Sequence, residues 1–123
     1  MISVGLYEQY SELSMEARDV DRVITSLMEE LEAINYYNQR ADVSGDESVC
    51  ELMIHNRDEE IEHACMLIEW LRRRMPEFDG ELRSYLFTEA PITAVEEEAT
   101  GEGPAADSAP KTTRSLGIGS LRG

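Results

Sequence analysis

Between about Ser11 and Arg40 the apolar residues Val20, Ile24, Leu27, Leu31 and Ile34 recur at steps of four and three, with no Pro or Gly between them. That is helical periodicity, and it predicts a helix over residues 11–40. The stretch "DVSGDE" (42–47) ends it. There Gly45 supplies a turn, and Asp46 or Ser48 caps the next helix. This second helix is predicted from about Glu47 to Arg74, stopping before Pro76. So short a connection makes antiparallel packing the natural result. "EFDGELRSYLF" (77–87) reads as a third, short helix with Gly80 as its weak point. The expected fold class is all-α: an antiparallel two-helix hairpin plus a short third helix. A helix of 28 residues is about 40 Å long at 1.5 Å per residue. Two such helices cannot cover their own apolar faces, so the hairpin is expected to oligomerise.

The pattern changes after Pro91. Residues 96–114, "EEEATGEGPAADSAPKTTR", hold no large apolar side chain and cannot bury enough surface to offset their chain entropy. The division expected is therefore a helical domain over 1–93, a disordered linker over 94–114 and a terminal peptide over 115–123. That peptide, "SLGIGSLRG", brings back Leu116, Ile118 and Leu121.

Charge narrows the functional classes. Acidic residues outnumber basic ones 26 to 11. Such a balance argues against nucleic acid or an anionic membrane surface as partner and suits attraction of cations. No apolar run approaches the ~20 residues needed to cross a bilayer. The N-terminus "MISVGLYEQY" has neither a basic start nor a long apolar core, so no signal peptide is expected. Cys50 and Cys65 stand 15 apart and match neither a redox CxxC nor a zinc knuckle; they read as two small buried thiols in a reducing cytosol.

The candidate chemistry lies in "RDEEIEHACMLIEWL" (57–71), where four carboxylates and a histidine open an otherwise apolar helix. Helical neighbours lie three, four and seven positions away, so each acid can be assigned a face. Glu62 has Asp58, Glu59, Met66 and Glu69 around it and faces water. Glu60 has Met53, Ala64 and Leu67 around it, with His63 one turn on, so an E-x-x-H pair interrupts the apolar seam. In the first helix Glu30 sits among Val23, Leu27, Ile34 and Tyr37 and faces in, whereas Glu29 faces out. Burying unpaired carboxylates costs several kcal/mol, so these groups protonate, find cations or bind metal. One alternative is an ion pair between Glu60 and Arg57, with His63 a satisfied interfacial histidine. The other is ligation. Glu30 plus Glu60 and His63 is a carboxylate-rich set with one imidazole, suited to iron or manganese rather than a thiolate zinc site. It is half of the dinuclear set of a four-helix bundle, and a symmetric dimer supplies the other half. His55 reads as a surface histidine. Tyr37, one heptad from Glu30, is the better candidate to support the ligands from behind.

"SLMEELEAINYYNQR" (26–40), "HNRDEEIEHACMLIEWLRR" (55–73) and "SYLFTEAPIT" (84–93) resemble the encapsulated ferritins, short ferritin-like cargo proteins of encapsulin shells. The resemblance covers most of residues 20–93. It implies a ferroxidase centre with two irons per subunit pair, formed by Glu30, Glu60 and His63 of two subunits, Glu60 bridging. It implies a ring-shaped decamer built from dimers, each dimer a ferritin-like four-helix bundle. It also implies a second acidic metal site at Glu29 and Glu32 that guides metal inward. The family often has Trp–Tyr where this chain has Tyr36–Tyr37. "SLGIGSLRG" looks like the encapsulin-targeting peptide, with Leu116, Ile118 and Leu121 as its docking residues. The expected location is the lumen of an encapsulin nanocompartment in a bacterial or archaeal cytoplasm. Two rivals stay open: a metal-stapled structural adaptor without turnover, and a cargo protein whose seam holds only an ion pair.

Overall fold

The computed structural model describes residues 6–101, and all of its regular structure is helical. A 3-10 turn at Tyr10–Glu12 precedes helix α1, Met15–Val43. Helix α2 follows at Glu47–Arg74, α3 at Pro76–Tyr85 and α4 at Ile92–Thr100. No strand occurs among the described residues, and no helix among them is long and apolar enough to cross a membrane.

Local chemistry sets the boundaries. Helix α1 starts later than its apolar spacing indicates because Ser14 caps it, its Oγ accepting the Ala17 N–H at 3.0 Å. The preceding turn is tied down by two arginines. The Arg18 guanidinium lies 4.1 Å from the Tyr10 ring centre and donates to the Tyr10 carbonyl, while Arg22 donates to the Tyr10 hydroxyl at 2.7 Å. Between α1 and α2 it is the side chains rather than Gly45 that shape the turn. Ser44 Oγ donates to the Asp46 carbonyl and accepts its N–H, and Asp46 Oδ1 accepts the Val49 N–H at 3.0 Å as the cap of α2. Gly45 keeps an ordinary negative φ; Gly101 is the glycine with positive φ among the described residues.

The cross-helix contacts show that α1 and α2 run antiparallel, since residue numbers rise on one as they fall on the other. Cys50 Sγ lies 3.4 Å from the Ala41 carbonyl oxygen, Arg57 donates to Asn38 at 2.9 Å, and Arg74 donates to Glu16 at 2.8 Å. Ala64 and Leu71 form the fully buried part of the seam. At the end of α2 the Glu69 carboxylate takes Arg72 and Arg73, which hold it down at about 2. Arg74 also stacks on Trp70, 4.5 Å from the ring centre.

Four expectations need correction. The cysteines are not both buried: Cys50 is half-buried and Cys65 exposed. The third helix ends at Tyr85, before the stretch expected of it, because Leu86 turns extended and the fully exposed Phe87 takes φ 63°. Residues 92–100 are helix where linker was expected from 94. Ala94, Glu96, Glu97, Glu98 and Ala99 form helix well on local propensity, and Gly101, at φ 82°, closes it by donating to the Glu97 and Glu98 carbonyls. The expected 1–93 domain also divides into two units, the boundary falling between Arg74 and Met75. The first is the α1–α2 hairpin; in the second, α3 and α4 pack on each other.

Candidate metal centre

One turn of α2 carries Glu60 and His63 on the same face, and α1 presents Glu30 opposite them. His63 Nδ1 lies 3.2 Å from Glu60 Oε1 and 3.8 Å from Glu30 Oε1. One ligand atom from each of the three residues lies within 4.8 Å of the other two. The carboxylates are half-buried, with side chains 25% and 24% exposed, while His63 keeps 42%. Helical register explains the convergence: Glu30 sits on the inner face of α1, and Ala64, 4% exposed, brings the α2 backbone close.

The electrostatics are those of three titratable groups forced together. The hydrogen bond that the Glu30 carboxyl donates to Glu60 raises the Glu30 pKa, and burial and the Glu60 charge add to the rise; His63 opposes it. Glu60 is lowered by the same hydrogen bond and then by His63. Within the pair Glu30 is thus the group that takes a proton more readily, and Glu60 the one that stays ionised to lower pH. His63 is raised, chiefly by its hydrogen bond to Glu60. Two carboxylates and an imidazole that compete for protons at this spacing are a set of donors fit for a hard or borderline cation.

The remaining sequence candidates divide. Glu29 is exposed, and Glu62 is exposed where Glu60 is half-buried, as the helical neighbours indicate. Glu32 is half-buried, and accepts the Tyr36 hydroxyl at 3.1 Å. Tyr37 is half-buried with the Arg40 guanidinium 5.7 Å from its ring centre. No hydrogen bond joins Tyr37 to Glu30, Glu60 or His63 among the described residues. His55 is on the surface, 3.9 Å from Glu59. Leu116, Ile118 and Leu121 lie outside the described residues. Arg57, the expected cation for Glu60, turns instead to Asn38 and to Asp58, the latter at 3.0 Å. The signal for this was Asn38 itself, a polar residue one heptad after Leu31. The Tyr36–Glu32 contact was readable as an i, i+4 pair.

Known proteins resemble this chain in sequence. The EncFtn-like family model matches residues 5–89. The chain belongs to the EncFtn-like family. A ferritin-like protein of Thermotoga maritima is 54% identical over 95 residues, which span 77% of this chain and 83% of that protein. An encapsulated ferritin-like protein of Rhodospirillum rubrum is 49% identical over 126 aligned positions, spanning 98% of this chain and 90% of that one. A crystal structure of a protein from Nitrosomonas europaea superimposes with a TM-score of 0.70 at 54% identity, covering 72% of this chain and 98% of the other. This EncFtn-like chain therefore shares its helical fold with a solved relative.

Proposed function

We propose that two copies of this chain form a ferroxidase centre that oxidises Fe(II) to Fe(III), with O2 or peroxide as acceptor, inside an encapsulin shell. The observation that carries the reading is the convergence of Glu30, Glu60 and His63 within 4.8 Å on the face of a hairpin too thin to enclose them. One hairpin offers three donors, half of what a dinuclear site takes; a two-fold partner offers the rest. In this arrangement Glu30 and His63 bind terminally and Glu60 bridges, holding two iron ions about 3.5–4 Å apart. Iron is the substrate. Each Fe(II) gives up one electron, so a pair supplies the two electrons that, with two protons, take O2 to hydrogen peroxide. Glu29 and Glu32 feed cations toward the centre, and Tyr37 supports the ligands from behind.

A likeness to an encapsulated relative supports the location. The likeness to the encapsulated ferritin-like protein spans 98% of this chain and so takes in the terminal peptide as well as the helices. Residues 115–123 dock on the shell through Leu116, Ile118 and Leu121. The dimers close into a ring-shaped decamer, and storage of the mineral belongs to the shell, because an open ring encloses no cavity.

The decisive experiment is anaerobic titration of the purified chain with Fe(II), followed by a pulse of O2, read by absorbance and native mass. The expected result is about two ions bound per two chains, then oxidation on the pulse. Metal bound without oxygen consumption points to the structural staple instead. Fully loaded single chains would rule out a shared centre.

A further inference from the structure

We infer, on the reading of Glu30, Glu60 and His63 as a metal centre, that Asn38 and Asp58 are positioning residues: they hold the Arg57 guanidinium off Glu60 and so keep the centre open to a cation from outside. Arg57 stands one turn before Glu60 on α2, at the i, i+3 spacing where helical side chains meet. Glu60 is half-buried beside the equally half-buried Glu30, and two carboxylates so placed attract any cation within reach. A guanidinium on Glu60 would be a lasting plug. Its planar fork matches a carboxylate with two parallel N–H groups, and its charge stays on at every pH the protein meets. A proton on His63 leaves as pH rises; an arginine does not.

All three guanidinium nitrogens are turned elsewhere. Nη1 donates to Asn38 Oδ1 at 2.9 Å, across the helix–helix seam. Nε and Nη2 both lie against Asp58 Oδ1, at 3.1 and 3.0 Å. Helix geometry explains how such modest acceptors prevail. Side chains lean toward the N-terminus of their own helix, so Arg57 leans toward the α1–α2 turn and away from Glu60. Cation before acid is also the weaker order for a pair within one helix. Asn38 waits on that turnward side, eight positions past Glu30 on the antiparallel α1. Asp58 alone would hold loosely, because its side chain is 59% exposed and solvent screens its pull. Asn38 supplies the direction. The Arg57 side chain is 29% exposed, so without Asn38 its Nη1 is partly shut off from water and needs another acceptor. Glu60 is the acceptor one turn away. A guanidinium that sits there about nine-tenths of the time cuts the apparent metal affinity about tenfold, since only the open centre binds.

Asn38→Leu, which keeps the side chain's size and removes its acceptor, tests this in the full chain by anaerobic Fe(II) titration calorimetry with no oxygen admitted. Asn38 is exposed, so helix content by far-UV circular dichroism is expected to stay. The expected result is Fe(II) affinity about tenfold weaker, returning to the parental value when Arg57→Met is added and no guanidinium remains. A purely structural role of Asn38 would not show that rescue. Asn38→Asp keeps an acceptor for Nη1 and is expected to bind Fe(II) at least as tightly as the parent. Unchanged affinity in Asn38→Leu overturns the inference, as does a loss that persists once Arg57 is gone, or an equal loss in Asn38→Asp. Should Asn38→Leu fail to fold, Asp58→Ala releases the other two nitrogens from an exposed position. It is expected to weaken Fe(II) binding and to be rescued by Arg57→Met; no loss, or a loss without rescue, overturns the inference again. A parent chain that binds no Fe(II) sinks the metal centre and the clamp together. A parent that binds Fe(II) beside an unaffected Asn38→Leu sinks the clamp alone.

Discussion

At the scale of residues, His63 carries two opposite pH dependences. Its imidazole is raised above the ordinary 6.5, first by the hydrogen bond to Glu60 and then by the charges of Glu30, Glu60 and Glu59. The metal-free fold therefore holds the imidazole proton more tightly than the unfolded chain does. Its contribution to stability is fully present below the unfolded value and is lost as pH rises through the raised folded value. In the proposed centre metal loading would have the other sign, because protons on His63 and on the Glu30–Glu60 pair would compete with the metal for the same atoms. Fe(II) affinity is therefore expected to tighten as pH rises through the His63 value, which lies above the ordinary 6.5. Anaerobic titrations in buffers of different ionisation enthalpy check this through the protons released; a flat profile with no proton release would remove His63 from the ligand set. Substitution sorts the faces. Glu60→Ala and His63→Ala are expected to abolish iron oxidation with helix content intact, and Glu30→Ala nearly so. Glu62→Ala, exposed on the same helix, is expected to change little. Equal losses at 60 and 62 would contradict the facing. The facing of the acids was legible because helical neighbours alone place Glu60 inward and Glu62 outward. The partner of Arg57 was not, because Asn38 competes for it from another helix, 19 residues away in sequence.

At the scale of elements, α1 and α2 hold together through a narrow seam. Leu71 is 0% exposed and Ala64 4%, and no other residue among those described is fully buried. Leu71→Ala is expected to cost about 2–5 kcal/mol, the range for truncating a buried leucine whose site collapses only in part. Urea unfolding of the assembled protein measures it, and a cost under about 1 kcal/mol would mean the seam repacks freely. The two long helices were readable because their apolar residues keep the period over many turns. Their ends were less so. Ser14 and Asp46 fix them by side-chain caps, a choice among several neighbouring polar residues that spacing leaves open. Helix α4 escaped a reading based on burial because it buries little; Ala and Glu propensity and the left-handed Gly101 suffice to form it.

At the scale of the molecule, the proposed function gives the hairpin and the terminal peptide separable tasks. Between Gly101 and Ser115 run 13 residues, which at full extension reach at most about 45 Å. The peptide beyond them concentrates Leu116, Ile118 and Leu121 with Arg122, and residues 111–123 contain no acid. If fully buried against a shell, each aliphatic would add roughly 1.5–3 kcal/mol, less the cost of ordering the peptide. Arg122 would add a smaller, salt-dependent steering contribution. None of these residues belongs to the Glu30, Glu60 and His63 group. Deleting residues 115–123 is therefore expected to leave the iron-oxidation rate of the free protein unchanged and to abolish its loading into co-expressed encapsulin shells. Co-purification with the shell, scored by gel densitometry, reads the second outcome, and the O2 pulse reads the first. Normal loading by the truncated chain would overturn the docking role of the peptide. A lost oxidation rate would place the peptide within the active assembly, and its apolar residues would then pack against the helices rather than the shell wall.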